Sequence, residues 1–341
     1  MTRTDPPGLD LSRLRAHLDR ERPGLVAGEL TAEVIQGGRS NLTYIVGDGV
    51  GRWVVRRPPL GHVLPTAHDM GREFRVMTGL SGTPVPVPET VLLCTDPDVL
   101  GAQFYVMEFV EGTPYRSADE LAKVGEKRTR AIAEGLVDTL VELHAVDPEA
   151  AGLGDFGRPD GFLERQLRRW KKQLDGSRSR ELPGADQLHD RLAAKLPPSG
   201  RPSIVHGDYR LDNVLVGSGD RVTAVLDWEM STLGDPLTDV ALLIAYAERD
   251  TVSLQMVSNA SSAPGYPSTD EVISRYAQRS GRDVSALNWY VSFAFFKLAV
   301  ILEGIYYRHS KGQTVGAGFE GIGDGVTRLI AYGNETLKEE K

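Results

Sequence analysis

The spacing of apolar residues changes once along this chain, near Pro114. Before that point, apolar and β-branched runs at 31–35, 42–46 and 53–55 are short and separated by glycine clusters, the pattern of antiparallel strands. After it, apolar residues recur three and four apart, as on the buried face of a helix. A single switch of this kind rules out an all-β or all-α domain and predicts an α+β plan, with a small antiparallel sheet followed by a mainly helical region.

The elements can be placed more closely. A first helix is expected in "LDLSRLRAHLDRE", and Gly47-Asp48-Gly49 reads as the second hairpin turn. A helix is predicted over 67–80, with Thr66 as cap, Asp69 completing a capping box and Phe74, Met77 and Leu80 on one face. The proline-rich "TPVPVPETVLLC" leads along an edge into a fourth strand, and 102–110 makes the fifth. Glu111-Gly112-Thr113-Pro114 has the composition of a linker. Beyond it, Ser117 and Glu120 form a capping box for one long helix to about His144, and 161–175, 185–196, 236–248, 269–280 and 285–309 are further helices. The expected organisation is a leader and helix over 1–24, a sheet domain over 25–111 and a helical domain over 112–341, with polar residues carried on a short hairpin in the last.

Composition excludes several functions. A formal charge of −8 argues against a general nucleic-acid or anionic-membrane binder. Cys94 is the only cysteine, so no intramolecular disulfide or cysteine-rich zinc site can form. The start lacks the apolar core of a secretory signal, and a cytoplasmic location is expected. The longest apolar stretch, "WYVSFAFFKLAVILEGIYY", is interrupted by Lys297, Glu303 and Gly304 and is read as a buried helix, not a membrane span. Oligomeric state is not legible.

The chemistry concentrates in "SIVHGDYRLDNVLV" and in Asp227-Trp228-Glu229, which follows another apolar run. Phosphoryl transfer from ATP requires a base for the acceptor alcohol, oxygen ligands for magnesium and a cation on the phosphates. Asp208 and Asn213 are five apart, the interval between base and metal-binding asparagine in the kinase catalytic loop. Asp208 is therefore the expected catalytic base, and Asn213 and Asp227 the expected magnesium ligands, because that ion prefers hard oxygen donors.

At these residues the chain resembles the aminoglycoside phosphotransferase and choline kinase-like family, through "VHGDYRLDNVLV", "AVLDWE" and "GDPLTDVA". The segments "LPTAHDMGREFRV", "FYVMEFVEGTPY" and "RPDGFLERQLRRW" are similar to the branch whose members occur alone or fused to acyl-CoA dehydrogenases. The resemblance covers about residues 25–335. It implies a protein-kinase-like two-lobed fold and the use of ATP with Mg2+. It also implies an adenine-binding hinge at the backbone of Glu108 and Val110, and a bracing role for Asp239 on the catalytic loop.

Other residues are read from their own chemistry. In "QGGRSN", Gly37, Gly38, Ser40 and Asn41 can close over phosphates, although an ordinary hairpin turn has the same composition. "GDGVG" is followed by a strand where a dinucleotide fingerprint needs a helix, so that reading is rejected. On the third strand Val54 and Arg56 share a face, Val54 to roof an adenine and Arg56 where kinases carry lysine. Glu73 would orient Arg56; Arg57 is the alternative cation, and a surface salt bridge the plainer reading of the pair. His206 is expected to support the loop, Asp212 to be solvated, Tyr209 and Arg210 to face substrate, Asp235-Pro236 to start a helix, and Glu229 to act as nearby charge or weak metal contact.

The expected acceptor is a small hydroxylated molecule. In the helix of 161–175, Leu163, Leu167, Trp170 and Leu174 form a core stripe, while Arg165, Arg168, Arg169 and Lys172 share another face. Such a face is usually solvated; bordering the cleft, it would favour an anionic hydroxy acid or its CoA thioester. Two rival readings stand beside this one: a nucleotide-binding module without catalysis, suggested by arginine at the lysine position, and an aminoglycoside phosphotransferase.

Overall fold

Alternating apolar residues become strands where the period is two. The computed structural model describes residues 5–35, 41–61, 69–248, 259–313 and 321–338. The chain divides into two compact units, one formed by residues 1–112 and 223–230 and the other by 113–222 and 231–341.

In the first unit, α1 (Leu11–Glu21) precedes β1 (Thr31–Val34), β2 (Leu42–Gly47) and β3 (Arg52–Arg57). Helix α2 (Met70–Leu80), β4 (Thr90–Cys94), the single turn α3 (Pro97–Leu100) and β5 (Phe104–Glu108) follow. The strands form one antiparallel sheet in the order β1-β2-β3-β5-β4, so the proline-led β4 takes an edge. Tyr44, Val46, Trp53, Val55, Phe104 and Val106 pack on one face with Leu14 and Leu18 of α1. For this reason α1 groups with the sheet. The alternate residues Val54, Arg56 and Tyr105 belong to the opposite face. Asp48 fixes the β2–β3 turn by accepting from the amides of Val50 at 2.8 Å and Gly51 at 2.7 Å. It also accepts from Ala27 N at 2.6 Å, which ties the chain before β1 to the same carboxylate.

Helix α2 starts later than the predicted residue 67. Asp69 is itself the N-cap and accepts from Arg72 N at 3.0 Å, satisfying one of the orphan amides of the first turn. Thr66 lies outside the described residues.

The second unit is helical apart from short strands. The stretch expected as one helix from Ser117 to His144 is two, α4 (Ala118–Ala122) and α5 (Glu126–Ala145). The Ser117/Glu120 capping box closes on α4, and Gly125, at φ +86°, takes a backbone conformation that no helix continues through. Next come α6 (Phe162–Ser177), α7 (Ala185–Ala194), β6 (Ser203–Val205), β7 (Val214–Val216) and, after β8 (Val222–Val225), whose residues from Thr223 on belong to the first unit, β9 (Thr232–Gly234). The unit ends with α8 (Leu237–Glu248), α9 (Thr269–Ser280), α10 (Leu287–Ser310) and α11 (Ile322–Thr336). Strand β6 pairs antiparallel with β9, not with β7, so the polar loop after β6 is not the hairpin expected from the sequence.

Helix α10 has the length and composition of a membrane span, yet most of it is buried against α6, α7, α8 and α11. Its all-round apolar surface is that of a central core helix. In α6, Leu163, Leu167, Trp170 and Leu174 are all buried, as their spacing predicts.

Candidate active site

In the first unit, a buried polar cluster forms on the sheet face away from α1. Arg56 Nε of β3 lies 3.1 Å from Glu73 Oε2 of α2, with the carboxylate side chain only 1% exposed. This rules out the surface salt bridge. Tyr105, paired with Arg56 across β3 and β5, donates from its hydroxyl to Glu73 Oε2 at 3.0 Å. The Arg56 guanidinium also donates to Asp227 Oδ1. Burial pushes the Glu73 carboxyl up to about 7, with Arg56 pulling the other way and Asp227 adding to the rise. Burial works against the Arg56 charge, but Tyr105, Glu73, Asp227 and Glu229 more than offset it and raise its pKa.

Arg57 is not the alternative cation. Alternation turns it to the α1 side, where Nη1 donates to Gly8 O at 2.5 Å and Leu100 O at 2.7 Å. Asn41 is 4% exposed, and its Nδ2 is committed to Glu73 Oε1 at 3.2 Å and Glu229 Oε2 at 3.3 Å. Its side-chain amide nitrogen therefore binds two carboxylates. Gly37, Gly38 and Ser40 lie outside the described residues. Val54 is buried opposite Met107. The Glu108 amide donates to Glu89 O at 2.8 Å, and Val110 follows just beyond the strand end.

Asp227 departs from ordinary backbone geometry, at φ +65°. Non-glycine residues seldom take this conformation, and those that do often sit in functional loops. Trp228 anchors the turn: it is fully buried and donates from Nε1 to Val225 O at 3.0 Å. Val225 N in turn donates to Pro86 O at 2.8 Å, which joins this segment to the proline-led approach to β4.

In the second unit the loop after β6 is gripped through its backbone. Asp239 of α8 accepts from His206 N at 2.7 Å and Gly207 N at 2.8 Å. His144 Nε2 lies 3.2 Å from the same carboxylate, and His144 Nδ1 lies 2.8 Å from the Tyr276 hydroxyl. Burial raises the Asp239 pKa, but the bonds from His144 and the neighbouring His206 and Gly207 win, and the carboxyl stays below its ordinary range. Lys297 of α10 donates to Gly207 O at 2.8 Å. Burial lowers the Lys297 pKa; Asp208 and Asp239 pull it up, and Arg169 adds to the lowering. Asp208 N donates to His206 Nδ1 at 3.2 Å, which gives His206 the supporting role its position implied.

The loop so held presents Asp208 and Asn213 together. Asn213 Nδ2 donates to Asp208 O at 2.8 Å and to Asp208 Oδ2 at 3.1 Å. With its nitrogen so committed, the amide oxygen is the Asn213 atom left for a cation, a hard donor of the kind magnesium takes. Asp227 likewise has a second carboxylate oxygen besides the one bonded to Arg56, and in donor chemistry both residues fit the ion. Tyr246 donates to Asp208 Oδ1 at 2.6 Å, and Arg210 Nε lies 3.6 Å from Asp208 Oδ2.

Two expectations in this loop fail. Tyr209 does not face a substrate: it is fully buried and donates to Leu136 O at 2.8 Å. Asp212 is not solvated, with its side chain 14% exposed and Arg210 Nη1 3.6 Å from Oδ2. The loop closes into a 3-10 turn at Leu211–Asn213, in which Leu211 and Asn213 are buried. Asp235 does start α8, accepting from Leu237 N at 3.1 Å.

Sequence reasoning missed Tyr246, Lys297 and His144. Tyr246 lies seven residues after Asp239, two turns along the same face of α8, and Lys297 is a lone charge inside an apolar run. Both signals were legible. The basic face of α6 is mostly exposed; Arg165 folds back to the carbonyls of Arg158 and Asp160, and Arg168 lies 3.5 Å from Glu164.

Comparison with known proteins bears on the family and the fold. The model of the phosphotransferase enzyme family matches residues 31–272. Acyl-CoA dehydrogenase family member 11 of Rattus norvegicus is 36% identical over 313 residues, covering 89% of this chain. The matched region is 40% of that relative, so the chain spans well under half its length. Among solved structures, one from Ralstonia eutropha, provisionally described as an aminoglycoside phosphotransferase, is 34% identical with a TM-score of 0.85 over 97% of this chain and 99% of that one. The streptomycin–ATP–APH(2'')-IIa ternary complex shares the fold at 17% identity, with a TM-score of 0.60 over 97% of each chain.

Proposed function

Because the chain belongs to the phosphotransferase enzyme family, with the sheet and helical parts of the aminoglycoside phosphotransferase, protein-kinase-like fold, we propose that it is an ATP- and magnesium-dependent small-molecule kinase. It would transfer the γ-phosphoryl group to the hydroxyl of a hydroxy acid or a hydroxyacyl-CoA. The observation that carries this reading is the Asp208–Asn213 pair on a loop whose backbone Asp239 and Lys297 hold from both sides.

Asp208 is the proposed base: it orients the acceptor hydroxyl and takes its proton as the oxygen–phosphorus bond forms. Asn213 and Asp227 are the proposed oxygen ligands, and magnesium, when bound, neutralises charge on the phosphate oxygens. Arg56, oriented by Glu73, would contact the phosphates, its fork suited to their oxygens. Val54 and the backbone of Glu108 and Val110 would receive the adenine.

The acceptor class is supported by two observations. Arg169 on the basic face of α6 is close enough to Lys297 to help depress its pKa, so positive charge reaches the neighbourhood of the catalytic loop. An anionic acceptor would be drawn to that charge and a polycationic aminoglycoside repelled. The matched relative is named an acyl-CoA dehydrogenase, which fits an acyl-CoA or its acid as the molecule handled.

The test is incubation with MgATP and a panel of 3-, 4- and 5-hydroxy acids, their CoA thioesters and aminoglycosides, read as ADP release together with a mass gain of one phosphate on the acceptor. Phosphorylation of an acid or thioester is expected. Nucleotide binding with no acceptor consumed would favour a module without catalysis.

A further inference from the structure

One hydroxyl already sits on the proposed base. The Tyr246 phenol donates to Asp208 Oδ1 at 2.6 Å, while Oδ2 receives Asn213 Nδ2. Tyr246 is also held: the Arg210 guanidinium lies 5.1 Å from its ring centroid, and Arg210 lies 3.6 Å from both Asp208 and Asp212. Helix α8 fixes the register, since Asp239 grips the loop amides and Tyr246, two turns further along the same face, reaches the carboxylate.

Beside this pair is a cavity of about 30 Å³, bordered by Arg210, Asp212, Tyr246 and Tyr266. That is room enough for a water molecule. Asp212 Oδ1 is buried there without a hydrogen-bond partner among the described residues. A water-sized polar space thus abuts the phenol and the arginine that both touch Asp208.

We propose that Tyr246, in the acceptor-free protein, occupies the place on Asp208 Oδ1 that an acceptor hydroxyl must take, and thereby keeps water off the base. This inference rests on the kinase reading above and adds a device against futile hydrolysis of ATP. Acceptor binding exchanges one hydroxyl for another on the same oxygen. Without the phenol, water takes that position: its oxygen bonds to the γ-phosphorus, the bond from that phosphorus to the β–γ bridging oxygen breaks, the bridging oxygen leaves as part of ADP, and the water proton passes to Asp208 and then to solvent.

The test needs no knowledge of the acceptor. Hydrolysis of MgATP is measured with no acceptor present for the wild type, Tyr246→Phe, Tyr246→Leu and Tyr246→Phe combined with Asp208→Asn, with ATP binding followed by calorimetry. Hydrolysis is expected to rise about tenfold in both single variants, the order a charge-assisted hydrogen bond is worth in competition with water, and to fall again in the double variant. Unchanged or slower hydrolysis in variants that still bind ATP overturns the inference, and slower hydrolysis would make Tyr246 a residue that only orients Asp208. A wild type that binds no MgATP overturns the kinase reading and the inference together.

Discussion

Glu73 and Arg56 meet at 3.1 Å in a site where the carboxylate is almost wholly buried and the arginine nearly so, and the same arginine reaches Asp227. Ion pairs this deep are costly to break from one side, because the remaining charge stays out of water. Glu73→Ala is therefore expected to destabilise the protein by about 3 kcal/mol, near the lower end for a buried pair because Asp227 still accompanies Arg56. Urea unfolding checks the loss. Calorimetry should also show weaker MgATP binding, since an arginine without Glu73 leans more fully on the proposed metal ligand.

Arg57 offers the contrasting case. It is 4% exposed and satisfies the carbonyls of Gly8 and Leu100 on the α1 side of the sheet. Arg57→Met leaves those acceptors without their partner, at about 1–3 kcal/mol for each buried group stranded. We expect lower stability and an unaltered affinity for MgATP in the folded protein. Equal losses of nucleotide affinity in the Arg56 and Arg57 variants would contradict the division of labour between the two faces of β3.

The sheet was legible because one-sided burial writes its period into the residues: Trp53 and Val55 inward to α1, Val54 and Arg56 to the other face. The helix α11 was not. Its apolar positions Ile322, Val326, Leu329 and Ile330 have helical spacing, but glycines at 323, 325 and 333 lower the propensity that a local reading relies on. Packing reverses that judgement. A Cβ at Gly333 would stand 2.7 Å from Leu188 Cδ2 and 3.3 Å from Ser292 O, so glycine is what allows α11 to lie close to α7 and α10. In the site, residue types at fixed spacing announced Asp208, Asn213 and Asp239. Tyr246 and Lys297 left fainter marks, one two turns beyond Asp239 on α8 and one a lone charge in the apolar run of α10, and neither mark by itself says which loop the side chain reaches.

Stability should fall on the acid side of neutrality. The His144 pKa is lowered from its ordinary 6.5, chiefly by burial, with Asp239 acting against that and Arg282 with it. Asp239 is held below its ordinary 3.8 despite burial, through His144, His206 and the Gly207 amide. Tyr276 and Asp235 complete the surroundings. Both groups bind protons more readily in the unfolded chain, so their contribution is present above about 6.5 and is lost as pH falls, first through His144 and then through Asp239. Urea unfolding between pH 8 and 4 should show this decline. His144→Gln, which keeps a donor and cannot titrate, should flatten the curve between about 6.5 and 5; an unchanged slope there would assign the protons to other groups.

Asp208→Asn separates catalysis from binding. The amide keeps the shape of the side chain and still accepts from Tyr246 through its one oxygen; it gives up the bond from Asn213 Nδ2 to Oδ2, but Asn213 keeps its bond to the Asp208 carbonyl, and the backbone bonds of the loop to Asp239 and Lys297 are untouched. It cannot take a proton from an alcohol. With the acceptor found in the panel screen, phosphoryl transfer should fall by ~10²–10⁴, the range for removing a general base, while MgATP affinity stays within about threefold. Product formation followed by mass and nucleotide binding followed by calorimetry give the two numbers. Turnover at the wild-type rate would remove Asp208 from the role of base, and loss of nucleotide binding in a folded variant would mean that the carboxylate serves the metal instead.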